Sequence, residues 1–164
     1  MILDEVNFAE DLFDFAIGKD NPNYYNLKSS ISRFYNVYGP YQSKDGAYCN
    51  LLGIWEKCIE ENQPLIIYGD GTKRRDFTHV EDIVDALILI LENQAWGHIF
   101  ELGRGINYSI KEIADMLNKE PIYKEDRPGE ALVTLCTDTL AKEILGWQPK
   151  HNIENYIKEY LNEK

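Results

Sequence analysis

The arginines of this chain are Arg33, Arg74, Arg75, Arg104 and Arg127, and none falls inside a helix that the sequence pattern predicts. A guanidinium is planar and makes two-point contacts with phosphate or carboxylate. In a chain of net charge −11, such groups at strand ends and turns suit either the capture of an anion or a set of structural salt bridges. Tyr24 and Lys28 have the Tyr-x-x-x-Lys spacing in which an ammonium depresses a phenol's pKa for proton transfer. Their segment follows Asn21-Pro22-Asn23 and leads straight into a strand, so the helix that would align them is missing and the match is read as accidental. Gly103-Arg104-Gly105 lies between a predicted strand and a predicted helix, as a dinucleotide-binding turn would. The third glycine position is Tyr108, which would block the close strand–helix approach, so a plain turn is the reading. His79, His98 and His151 are isolated in sequence and make no metal-ligand spacing, so no metal site is expected. Cys49, Cys58 and Cys136 form no Cys-x-x-Cys pair and are read as reduced thiols.

The elements that must position these groups follow from periodicity. Residues 5–18 read as a helix apolar on more than one face, hence buried on more than one side. Residues 29–37 read as a strand stopped by Gly39-Pro40, and residues 47–62 as a helix with Tyr48, Leu51, Leu52, Trp55 and Ile59 on one face. Residues 65–68 are a short strand closed by the Gly69-Asp70-Gly71-Thr72 turn. Residues 76–80 are a second short strand feeding a helix at 81–92, whose first turn carries Glu81 and Asp82 as a helix N-terminus prefers. A strand at 98–102 precedes a Ser109-Ile110-Lys111-Glu112 capping box that opens a helix to 118. A strand at 132–136, a helix at 138–145 closed by Gly146, and a terminal helix at 152–161 complete the set. Strands and helices alternate, which predicts one α/β domain over 1–164.

The length of 164 residues suits a single domain, and 44% hydrophobic with 27% charged residues is ordinary for a globular protein. No apolar run approaches the roughly 20 residues of a membrane span, and the N-terminal residues show no basic signal-peptide region. The acidic balance argues against nucleic acid as a partner. A cytoplasmic protein is expected.

Five strings occur in order: Arg33-Phe34-Tyr35-Asn36-Val37-Tyr38-Gly39-Pro40, Pro64 to Gly71 (PLIIYGDG), Arg75-Asp76-Phe77-Thr78-His79-Val80-Glu81-Asp82, Arg127-Pro128-Gly129-Glu130, and Leu145-Gly146-Trp147-Gln148-Pro149. Together they closely resemble the C-terminal half of extended short-chain dehydrogenase/reductase proteins, the NAD-dependent nucleotide-sugar epimerase/dehydratase family, and most of all its UDP-sugar 4-epimerases. The resemblance runs from about Asn7 to the C-terminus. It implies the C-terminal substrate-binding portion of that α/β fold, without the N-terminal Rossmann half. Residues 5–40 would be a remnant of that half, and residues 41–164 the nucleotide-sugar-binding region.

Carried over by position, the resemblance gives Asn36 a hydrogen bond to the substrate's phosphate or sugar. Asn50 and Leu51 would meet the diphosphate at a helix start, where backbone amides favour an anion. Ile66 and Tyr68 would hold the base, Phe77 would lie beside the nucleoside, and Arg75 and Arg127 would clamp the diphosphate. Asp76 and Glu130 are the ion-pair partners of these arginines in the structural alternative, and Glu130 stands where the family usually has Asp. The family's catalytic tyrosine and lysine fall on Asn7 and Asp11, which cannot serve as phenolic base and pKa-lowering cation. The resemblance therefore implies the nucleotide-sugar-binding part of such an enzyme, incomplete for catalysis alone and not expected to bind NAD by itself. The alternatives are a non-catalytic binding or oligomerisation module and a truncated gene product. A nucleoside diphosphate sugar, and either a second copy or a complementary N-terminal chain, are the implied partners.

Overall fold

The computed structural model describes residues 28–46 and 49–163. The helix expected at residues 5–18, Asn7, Asp11, Tyr24 and the expected helix start at 47–48 lie outside the described residues. Strand β1 (Ile31–Phe34) and β2 (Val37–Tyr38) replace the single strand expected there, because Asn36 turns the chain between them at a positive φ of 34°. Helix α1 (Leu51–Glu60) starts at Asn50, whose extended backbone and side-chain bond to the Gly53 amide at 2.7 Å form an N-cap. Then come β3 (Ile66–Tyr68), β4 (Arg74–Asp76) and β5 (Thr78–His79), where one strand at 76–80 was expected. They are followed by α2 (Val80–Glu92), β6 (Ile99–Leu102), β7 (Asn107–Ser109), α3 (Ile110–Met116), β8 (Ile122–Lys124), α4 (Leu140–Leu145) and α5 (Ile153–Asn162).

Local chemistry sets several boundaries. Ser109 and Glu112 make the expected reciprocal capping box at α3. Gly146 closes α4 in the left-handed region at φ 68°. Strands β7 and β8 are not legible as periodic runs. Conversely, residues 132–136 form no strand: they run beside β4 with a single bridge, Arg74 to Val133, and Leu132 and Val133 are exposed. That apolar run has no sheet face to bury, so its alternation carries no ladder.

The strands pair as β1–β6, β2–β5 and β3–β8, all parallel, and as the antiparallel β4–β7. Two apolar cores hold them. Tyr38, Leu52, Trp55, Leu65, Ile67, Phe77, Ile113 and Ile153 pack α1, α3 and α5 against β2, β3 and the link between β4 and β5. Ile83, Ala86, Ile90, Phe100, Leu102, Leu145 and Trp147 pack α2 and α4 on β6. The Trp147 indole crosses to the carbonyl of Asp82 at 2.8 Å and ties α4 to the start of α2. No described helix is long and apolar enough to cross a membrane.

Candidate functional site

A cleft of about 560 Å³ opens between the start of α1, the end of β3, β4 and the 127–131 loop. Its lining contains every residue singled out above for substrate binding: Asn36, Asn50, Leu51, Ile66, Tyr68, Arg75, Phe77 and Arg127. A volume of this size is in the range that holds a small-molecule ligand. Lys73, Trp55 and Glu130 also line it.

Each polar group in the cleft is held in a definite way. The Asn36 amide donates to the Asp76 carbonyl at 2.8 Å and to the Thr134 hydroxyl at 3.2 Å. Asn50 spends its side chain on the α1 cap and on the Val37 carbonyl at 2.6 Å, which fixes the helix N-terminus against β2. The Ile66 carbonyl accepts from the Trp55 indole at 3.3 Å, so part of its backbone capacity is already engaged. The Arg75 guanidinium donates to the carbonyls of Arg74 (2.9 Å) and Ala131 (2.7 Å), bracing the loop that carries Arg127. Arg127 lies over the Tyr68 ring, 3.6 Å from its centroid. That cation–π contact covers one face of the surface expected to stack a base.

Glu130 sits among the cations, 2.9 Å from Lys73, 4.0 Å from Arg75 and 3.9 Å from Arg127. Lys73 is 6% exposed and also pairs with Asp126. Bonds to Asp126 and then Glu130 raise the Lys73 pKa, and the bond to Lys73 is the first cause holding the Asp126 carboxyl below its usual range. Lys73 was not among the residues expected here; the Lys73-Arg74-Arg75 run was its signal. Arg74, its neighbour, faces away, to Asn107 at 2.8 Å and Glu112 at 3.1 Å.

Two sequence expectations change, and a third, the plain turn at Gly103, gains its reason. Asp76 is not an ion-pair partner of Arg75: fully buried, its carboxylate accepts backbone N–H bonds from Arg104 (3.0 Å), Gly105 (2.9 Å) and Cys136 (3.0 Å). Strand alternation sends it to the opposite face from Arg75. The Gly103-Arg104-Gly105 turn is thereby explained. Its amides are filled by an internal carboxylate, and a Cβ on Gly103 would sit 2.2 Å from the Cys136 Cβ. The turn has no room to cradle a pyrophosphate, and the described residues do not fit NAD there. Finally, His79 and His151 are not isolated, because the fold stacks their rings at 4.4 Å.

The NAD dependent epimerase/dehydratase family model matches residues 20–103. A UDP-glucuronate 4-epimerase from Thermodesulfobacterium geofontis is 32% identical over 84% of this chain and 43% of its own length. A putative UDP-glucose 4-epimerase from Methanocaldococcus jannaschii is 32% identical over 84% of this chain and 46% of its own. The chain thus spans less than half the length of these curated relatives. Among solved structures, the UDP-glucose 4-epimerase of Thermotoga maritima with UDP-glucose superposes with a TM-score of 0.75 at 31% identity. That match covers 85% of this chain and 48% of the other. The UDP-glucuronic acid 4-epimerase of Bacillus cereus, in complex with UDP-glucuronic acid and NAD, gives a TM-score of 0.70 at 26% identity, over 85% and 47%.

Proposed function

Since this chain belongs to the NAD dependent epimerase/dehydratase family, we propose that it binds a nucleoside diphosphate sugar, a UDP-sugar above all, in the α1–β3–β4 cleft. The observation that carries the reading is the convergence of the eight expected residues on one cleft of ligand size. The diphosphate sits between Arg75, Arg127 and the N-terminus of α1, where local donors outweigh the repulsion from a net charge of −11. The base takes the Tyr68 ring face that Arg127 now covers, and the 56%-exposed guanidinium swings from the ring to the phosphates. Family enzymes that bind UDP-sugar and NAD in the solved complexes provide the analogy.

We assign the family's hydride chemistry to a cofactor-binding segment outside these 164 residues. Asn7 and Asp11 at the family's catalytic positions, and a Gly103–Gly105 turn filled by Asp76, support this division. In this reading the segment works with a second polypeptide, a copy of itself or a complementary chain. The exposed side chains Val84, Leu87, Ile88 and Leu91 on α2 are in keeping with that. The second reading is a non-catalytic binding module, which Asn7 and Asp11 favour over the enzyme-part reading.

The test is an NMR titration of the chain with UDP-glucose, next to calorimetry with NAD. Shifts at Tyr68, Arg75 and Arg127 at up to about millimolar ligand are expected, the affinity range of an open site. Their absence removes the binding reading, and the arginines are then partners of Glu130 and of the 131 carbonyl. Micromolar NAD binding by the chain alone removes the division of labour.

A further inference from the structure

At the far end of β5 the described residues bring together three side chains of the metal-ligand type, none of which lines the cleft. His79 ends β5 and N-caps α2, Glu81 stands in the first turn of α2, and His151 lies just before α5. Their ligand atoms all fall within 4.8 Å of one another. The His151 Nε2 is 3.1 Å from the Glu81 carboxylate, and its Nδ1 is 2.9 Å from Asp82 Oδ1.

Asp82 decides which nitrogen of His151 is available. It is 1% exposed, and its carboxylate also accepts the backbone amides of Lys150 and His151, each at 3.0 Å. The pinned Asp82 carboxylate occupies Nδ1 and leaves Nε2, which faces Glu81 at 3.1 Å, as the nitrogen that an ion would take in exchange for its contact with Glu81. This carboxylate–histidine arrangement is the one that orients and strengthens metal-ligating imidazoles. His79 is a fixed post, packed edge-on against Tyr38 at 5.2 Å and Tyr156 at 5.9 Å. Its Nδ1 accepts the Glu81 amide at 3.3 Å, and ligation by either ring nitrogen exchanges that long cap bond for a bond to the ion.

We propose that His79, Glu81 and His151 form a binding site for a divalent transition-metal ion of the zinc class. Two imidazoles and one carboxylate suit zinc, cobalt or nickel; calcium and magnesium require oxygen donors throughout. Zinc–ligand bonds of about 2.0–2.1 Å put tetrahedral ligand atoms roughly 3.4 Å apart, so the cluster closes by about 1.5 Å. Glu81, with 65% of its side chain exposed, and His151, at 42%, supply that movement, and water fills the fourth position. The ion clips the start of α2 to the lead-in of α5. These elements are far apart in sequence and are otherwise joined here through Asp82 and the Lys150–Asp85 pair. The site is therefore a staple for the C-terminal helix, a role independent of nucleotide-sugar binding.

The experiment is titration of the full chain with zinc chloride and with cobalt chloride. One ion per chain with micromolar affinity is expected, with a four-coordinate cobalt spectrum that lacks a thiolate charge-transfer band. The melting temperature should rise by roughly 5–10 °C at a hundredfold excess over Kd. His151→Ala and Glu81→Gln should each weaken binding at least tenfold, while His98→Ala leaves it unchanged. Glu81→Gln changes only an exposed group, so it reads out even if His151→Ala does not fold. Absence of binding at about millimolar ion overturns the proposal. So does a thiolate band, or affinity that survives both site variants, and His79, Glu81 and His151 are then an ion-pair cluster alone.

Discussion

Replacing Arg75 separates a phosphate clamp from a loop brace. In the structure its guanidinium holds two backbone carbonyls, Arg74 at 2.9 Å and Ala131 at 2.7 Å, with only 16% of the side chain exposed. Neither carbonyl is left bare by Arg75→Ala: the Arg74 oxygen also accepts from the Thr134 amide at 3.0 Å, and Ala131 is exposed to water. Both bonds have a charged donor, but their loss leaves no carbonyl unsatisfied, so each costs toward the lower end, about 0.5–1.5 kcal/mol, and the melting temperature should fall by a few degrees. A charge-assisted bond to a diphosphate is stronger, about 1.5–3 kcal/mol, so UDP-glucose affinity should drop about ten- to a hundredfold. Arg75→Lys keeps the charge and loses the fork, and should recover part of the affinity. Lys150→Ala is the control, because Lys150 pairs with Asp85 away from the cleft, whereas Arg104 bonds the His151 carbonyl and its removal perturbs the fold. Calorimetry with each variant, beside a thermal melt, gives the comparison. Unchanged affinity in Arg75→Ala together with an unchanged melt would falsify both roles. A lower melt with unchanged affinity leaves only the brace.

Glu130 competes with the diphosphate for Lys73, Arg75 and Arg127, so Glu130→Gln should tighten UDP-glucose binding several-fold at low salt, and the gain should shrink as salt rises. Weaker binding would mean that Glu130 instead positions the loop. Gly103→Ala brings a Cβ to 2.2 Å from Cys136 and 3.0 Å from Asp76, and should cost about 1–3 kcal/mol or more in a denaturant melt, far above Gly97→Ala, whose added Cβ meets open space though its positive φ carries some strain. Burial first of all raises the Cys136 pKa, so its thiolate fraction stays below that of an ordinary thiol through about pH 8. Mass-mapped alkylation should therefore modify the half-buried Cys49 and Cys58 before Cys136, and a Cys136 that reacts first refutes the burial argument.

What could be read from the sequence was local chemistry and motif order. The Ser109–Glu112 box and the Gly146 cap are encoded within one helical turn, and both stand where their residues put them. The cleft was legible because most of its expected residues sit in recognisable strings, Asn50 and Leu51 excepted, although the strings lie in different elements. Contacts between distant segments were not. Nothing near His79 in the chain signals His151, and the Asp76 side chain looked like an arginine's partner because its amide donors at Arg104, Gly105 and Cys136 are remote. Strand β8 is exposed along its length and has no alternation to detect; only its pairing with β3 defines it. Residues 132–136 erred the other way, since an apolar run says nothing about whether a sheet face awaits it.

The parallel pairing of β3 with β8 has a consequence for the order in which the molecule is made. A parallel ladder cannot be closed by a tight turn, so β3 waits for a strand synthesised much later, and the same delay applies to β1 with β6. Arg75 leaves the ribosome well before Arg127, and the loop bearing Arg127 follows directly after β8. The nascent chain therefore carries a half-built cleft, with Tyr68 and Arg75 present and their opposing wall missing, until the 127–131 loop has emerged. Folding of this cleft is a late event, and its cations spend that interval with the solvent rather than with Glu130.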